Sequence, residues 1–145
     1  NLKSAIVLRG FNPDISGEKL YFNKFYKNNV FRIINDDTKM SSYIAMDQSN
    51  VIIDFFSTAS IEAFGWGKKI LLCDFTNSND YNDYHPLIVF KEANYEVFKE
   101  RVNNLRLENS EDYKKRTKEY ASYLMNNNKE CPPHIHVRKK IKKYF

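Results

Sequence analysis

The chain has 145 residues, of which 42% are hydrophobic, 15% aromatic and 28% charged. One domain of this length buries roughly two-thirds of its unfolded surface, and no run approaches the ~20 apolar residues of a membrane span. The net charge of +5 is uneven: residues 111–145 hold ten Lys/Arg against four Asp/Glu, and residues 1–110 thirteen against fourteen, so the basic balance is no evidence for a nucleic-acid-binding body.

Residues 5–8 (Ala-Ile-Val-Leu) form a continuous apolar run stopped by Gly10, which reads as a buried strand. Asn1-Leu2-Lys3-Ser4 leads straight into it without a charged-then-apolar leader, so no secretory signal is expected. Leu20, Phe22, Phe25 and Tyr26 predict a helix over 17–28. A second strand follows at 30–34, ending in Asn35-Asp36-Asp37. Ser41 and Ser42 are candidate caps of a short helix through Tyr43, Ile44 and Met46. Residues 51–56 read as a third strand, and Ser57 and Thr58 cap a helix that stops at Gly65 and Gly67. A fourth strand covers 69–75, a polar loop 76–86 and a short fifth strand 87–90. Tyr95, Phe98, Val102 and Leu105 mark one face of an amphipathic helix. Ser110-Glu111-Asp112 starts another, with Tyr113, Tyr120 and Leu124 on one face, broken by Cys131-Pro132-Pro133. A last basic helix runs from about His134 to Tyr144.

Alternating helices and non-alternating apolar strands predict an α/β fold, a Rossmann-like parallel sheet with helices on both faces, followed by C-terminal helices. The expected division is a Rossmann-like domain over 1–130 and a basic helix over 131–145. Ligands of such sheets sit at the carboxyl ends of the strands, which selects Arg9, Asp36-Asp37, 57–60 and 74–77. Cys73 and Cys131 are too few for a disulfide or zinc framework, and Cys73 sits in an apolar run as a small core residue. His134 and His136 lack further ligands for a metal, so none is expected. Asp36-Asp37 with Asp54 could form the acidic pocket of a phospho-receiver, but Asp74 stands where that chemistry needs a lysine.

The most informative segment is 54–69. A strand delivers Ser57, Thr58, Ala59 and Ser60 onto a helix N-terminus. Free N–H groups and the positive end of the dipole there favour an anion. Hydroxyls add donors, and small side chains admit a phosphate. Glu62 does not fit a capping box from either hydroxyl. One turn into the helix, it is placed to accept from a ribose hydroxyl. His85 in the loop after the fourth strand is a candidate substrate contact.

Residues 50–76, with Ser57-Thr58, Glu62-Ala63-Phe64-Gly65 and Gly67-Lys68-Lys69, resemble the C-terminal nucleotide-sugar-binding half of GT-B glycosyltransferases. With Ser41-Ser42-Tyr43, Ala45-Met46-Asp47, Phe75-Thr76 and residues 95–101, the chain is similar over about 3–125 to bacterial surface-carbohydrate (O-antigen type) biosynthesis proteins. The resemblance implies a donor-binding domain of a glycosyltransferase, with phosphate held by Ser57, Thr58, Ala59 and Ser60, ribose by Glu62, and Arg9 facing the phosphates. It implies a nucleotide-sugar as substrate rather than a cofactor and a glycan or lipid-linked acceptor. It also implies a separate N-terminal acceptor half and a cytoplasmic setting at the inner face of the membrane. Catalytic residues are not assigned. A sugar-nucleotide epimerase or polyol-phosphate transferase of the same fold, or a non-enzymatic nucleotide- or carbohydrate-binding module, remain alternatives. The basic tail, with Val137, Ile141 and Tyr144 on one face, fits either weak contact with an anionic membrane or packing on the other half, and not nucleic acid.

Overall fold

The computed structural model describes residues 4–7, 15–25, 31–34, 41–55, 57–76, 84–125, 130 and 133–144. They form two compact units, residues 1–48 and 49–145. In the first, β1 (Ser4–Val7) pairs in parallel with β2 (Phe31–Ile34), in a register running from Ser4 opposite Phe31 to Val7 opposite Ile34. Helix α1 (Ile15–Phe25) connects them in sequence, and α2 (Ser41–Gln48) packs against β1.

In the second unit, β3 (Val51–Asp54), β4 (Lys69–Cys73) and β5 (Val89–Phe90) form a parallel sheet in the order β3-β4-β5. Four helices belong to this unit: α3 (Thr58–Gly65), α4 (Tyr95–Leu107), α5 (Ser110–Leu124) and α6 (Pro133–Tyr144). The chain is thus mixed α/β with a three-stranded parallel sheet and helices, the coarse arrangement of a Rossmann-like fold. Among the described residues the pairing forms one ladder within each unit, β1-β2 and β3-β4-β5. Alternating strands and helices fix parallel pairing between successive strands, but not the lateral order of strands far apart in sequence.

Strand β4 is the centre of the core. Successive strand side chains point to opposite faces, and all five residues of β4 are buried, so both faces are covered. Phe64, Ile70, Leu71, Leu72, Cys73, Ile88, Phe90, Leu105 and Tyr113 form one apolar cluster. Helix α3 packs against β3, β4 and α5, and α4 against β3. The Tyr113 hydroxyl accepts from the Ile70 N–H at 3.3 Å, tying α5 to β4. Burial pushes the Tyr113 phenol up in pKa.

Local chemistry explains the helix ends. Ser57 is the N-cap of α3, its Oγ accepting from the Ala59 N–H at 3.2 Å. Gly67 (φ +81°) carries the stop: its N–H donates to Phe64 O, and the Lys68 N–H to Ala63 O, the paired bonds of a Schellman motif. Gly65 remains helical. Asn94 and Asn109 cap α4 and α5, each accepting two first-turn N–H groups. The Lys69 ammonium donates to Glu108 O just past α4, and the Asn50 amide to Arg106 O. Among the described residues no helix is long and apolar enough to cross a membrane.

Candidate functional site

Parallel pairing sends the carboxyl ends of β3, β4 and β5 to one edge of the sheet. At the end of β3, Asp54 turns its carboxylate onto the start of α3. Its Oδ2 accepts from the Ser57 N–H at 2.8 Å and from the Ser60 hydroxyl at 2.5 Å. Ser60 is buried and also bonds Ser57 O at 2.8 Å. The chain therefore brings its own anion to the helix N-terminus, where the dipole favours it.

At the end of β4, Asp74 is buried, with only 1% of its surface exposed. Its Oδ1 accepts from the Thr76 hydroxyl at 2.9 Å and the Thr76 N–H at 3.2 Å. Among the described residues its Oδ2 accepts no hydrogen bond of ordinary length and faces the Lys91 ammonium, just after β5, at 3.6 Å. Burial pushes the Asp74 pKa up, but the Thr76 bonds and the Lys91 charge outweigh it and hold the carboxyl below the usual range. Neighbouring Cys73 is driven the other way: burial first, then the Asp54 charge, push its thiol up to about 12. Such a thiol stays protonated at neutral pH and is no nucleophile.

The same edge exposes aromatic surface. Phe55 and Phe75, the residues after β3 and β4, are 56% and 43% exposed, with ring centroids 5.9 Å apart. Phe75 meets Phe90 edge-on at 6.0 Å, which joins the pair to the core. The strand-end segments selected from the sequence include Phe75, within 74–77, but not Phe55. The sequence places Phe55 inside a strand over 51–56 and Phe75 at the end of one over 69–75, whereas β3 ends at Asp54 and β4 at Cys73, so both phenylalanines lie past their strands.

The predicted site residues separate into three groups. Ser57, Thr58, Ala59, Ser60 and Glu62 do gather at the start of α3, but Ser57 and Ser60 are engaged in holding Asp54, and the Ala59 N–H is used by the cap. Thr58 is exposed and its hydroxyl lies outside this network. Glu62 is half-buried one turn into α3. The four-residue phosphate cradle expected from the sequence is thereby narrowed to the exposed first turn around Thr58. His85 does not join this edge: its Nδ1 accepts from the Leu87 N–H at 3.0 Å, its N–H donates to the Tyr120 hydroxyl at 2.7 Å, and its ring rests on Tyr120. These contacts make it a turn residue ahead of β5. Arg9, Asp36, Asp37 and Asn77 lie outside the described residues, as does Cys131. Among the described residues no group of three or more His, Cys, Asp or Glu is placed to hold a metal ion.

No protein-family model matches the chain, and neither the curated proteins nor the solved structures contain a match to it.

Proposed function

We propose that the chain is the donor-binding half of a GT-B-type glycosyltransferase in bacterial surface-polysaccharide synthesis, binding a nucleotide-sugar at the carboxyl edge of β3, β4 and β5. The observation that carries this reading is one juxtaposition. The edge pairs an exposed aromatic surface, Phe55 and Phe75, with the exposed first turn of α3. An aromatic face suits a base or sugar ring, and a helix N-terminus with a hydroxyl suits a phosphate. In this reading Thr58 donates to the phosphate and Glu62 accepts from the ribose. Charge developing on the leaving phosphate meets oriented donors, which lowers the barrier to glycosyl transfer. A separate acceptor half binds the glycan or lipid-linked acceptor.

Calorimetric titration of CMP, UDP, GDP and ADP tests this. One of them binds with a Kd below ~1 mM, a free energy beyond about 4 kcal/mol. Thr58→Ala weakens that binding. Glu62→Gln costs about 1.5–3 kcal/mol of affinity while shifting stability by no more than about 0.5 kcal/mol. Ser57→Ala is a poor probe, because losing the N-cap alone costs about 1 kcal/mol of stability. Absence of binding to all four nucleotides, or unchanged binding in both variants, removes the donor-site reading.

A lipid-linked acceptor places the enzyme beside a membrane, on the cytoplasmic side. Val137 and Ile141 of α6 are 54% and 53% exposed, beside Arg138, Lys139, Lys140, Lys142 and Lys143. Basic residues near an anionic surface contribute about 1 kcal/mol each, so the protein sediments with anionic vesicles and not with neutral ones. Substituting Val137→Ser and Ile141→Ser together reduces sedimentation. Equal sedimentation with both lipids, or with both proteins, leaves α6 a packing helix.

A further inference from the structure

At the opposite edge of the sheet, the amino ends of β3 and β4 border a second feature that the donor reading does not use. Ser49, Asn50, Trp66, Gly67, Lys68, Lys69, Ser110 and Lys114 line a pocket of about 180 Å³. Lys69 is the informative member. It is only 3% exposed, yet its ammonium is held by neutral acceptors: Glu108 O at 2.5 Å and Asn50 Oδ1 at 3.4 Å. No carboxylate pairs with it among the described residues. An ammonium carries three donors, and a buried charge is ordinarily paired.

The surroundings add positive charge. Lys68 and Lys114 line the same pocket, and Ser110 begins the fifteen-residue helix α5, whose N-terminus is the positive end of its dipole. Acidic groups stand beside it: the first turn of α5 carries Glu111, which pairs with Lys114 at 2.9 Å, and Asp112, while Glu108 spends its carboxylate on Arg116. Gly67 shapes the wall. A Cβ there would stand 2.8 Å from Lys114 Cγ, so glycine lets the lysine stem lie against the α3 stop and bring its ammonium to the rim.

We infer that this pocket is a second binding site, for a phosphate group, formed by Lys68, Lys69 and Lys114 at the start of α5 and distinct from the donor edge. Its ligand is inorganic phosphate or a phosphate monoester. Trp66, 47% exposed on the pocket wall, is the one tryptophan of the chain, so its emission is a probe at this site.

The test is a titration of the 145-residue chain with potassium phosphate and with glucose 1-phosphate, against potassium chloride at matched ionic strength, read by Trp66 emission. Both phosphates give a saturable change and chloride gives none. The tighter of the two identifies the ligand as free ion or ester. Lys69→Met and Lys114→Gln each weaken the response by about tenfold or more, as expected for loss of a charged donor; Lys114→Gln keeps the stem against Gly67 and serves if Lys69→Met does not fold. Thr58→Ala leaves the response intact, which separates this pocket from the donor edge. A chloride response equal to that of phosphate, an unchanged titration in Lys114→Gln, or loss of the response in Thr58→Ala overturns the assignment.

Discussion

Replacing Phe64 by alanine destabilises the 49–145 unit by about 3–5 kcal/mol, the range for removing a buried aromatic side chain. Phe64 is fully buried, and its ring meets Tyr113 at 6.4 Å and Tyr120 at 5.9 Å. It is therefore the α3 side of the seam with α5. The seam is not free to collapse around a smaller residue, because Tyr113 is fixed by its hydroxyl on the Ile70 N–H and Tyr120 by its hydroxyl on the His85 N–H. A cavity left between two anchored rings stays open, which puts the cost at the upper part of the range. Urea unfolding followed by Trp66 emission measures the loss within this unit, with Phe64→Leu losing less. A loss under about 1 kcal/mol for Phe64→Ala would mean that the seam repacks and that the two hydroxyl anchors do not hold α5.

Elements were most legible where one local rule decided them. The apolar run at 70–73 reads as a strand covered on both faces, and these four residues are buried, with Lys69 ahead of them. Of the face that spacing predicts for α4, Phe98, Val102 and Leu105 belong to or touch the core, whereas Tyr95 is 71% exposed and Val97 packs inward in its place. Residues 87 and 88 were read into the fifth strand, but they belong to the turn ahead of Val89, where the Ile88 N–H bonds His85 O. Asn94 and Asn109 are strong caps that the apolar periodicity passed over, since it starts one residue later in each helix.

The candidate site was legible as a place and less so as a set of contacts. Strand ends and helix starts follow from chain order, so the gathering of 57–60 at the carboxyl edge could be read. What those hydroxyls bind depends on which neighbour reaches them, and Asp54, three residues before the cap, competes for the same N-terminus as a phosphate. A signal is present: an acid ending a strand beside two serines at 57 and 60 has the length to bond both, though the sequence analysis gives it only as a candidate receiver acid. The second pocket was not legible, because Asn50, Lys69, Ser110 and Lys114 meet only through tertiary packing.

Asp54→Ala removes both bonds that lock β3 to α3 and lowers stability by about 2–4 kcal/mol. The estimate rests on about 1.5–3 kcal/mol for each hydrogen bond to a charged group, reduced at Ser57, whose N–H is exposed and regains a water. Ser60 has no such recourse: it is buried, and its hydroxyl keeps only Ser57 O as partner. Asp54→Asn isolates the charge from the geometry. The amide oxygen still accepts from Ser57 and Ser60, so the loss of stability is smaller than for alanine. Removing the negative charge leaves the positive end of α3 available to an incoming phosphate. Under the donor reading, Asp54→Asn therefore binds the preferred nucleotide more tightly than wild type while melting lower, and the two effects move in opposite directions. Calorimetry and thermal unfolding on the same preparation measure both. If Asp54→Asn melts lower and binds more weakly, Asp54 contacts the ligand through an ordered donor such as a ribose hydroxyl, and the phosphate does not sit at the α3 N-terminus. If the melting temperature is unchanged, the bonds to Ser57 and Ser60 do not hold the start of α3, and the cap at Ser57 alone does.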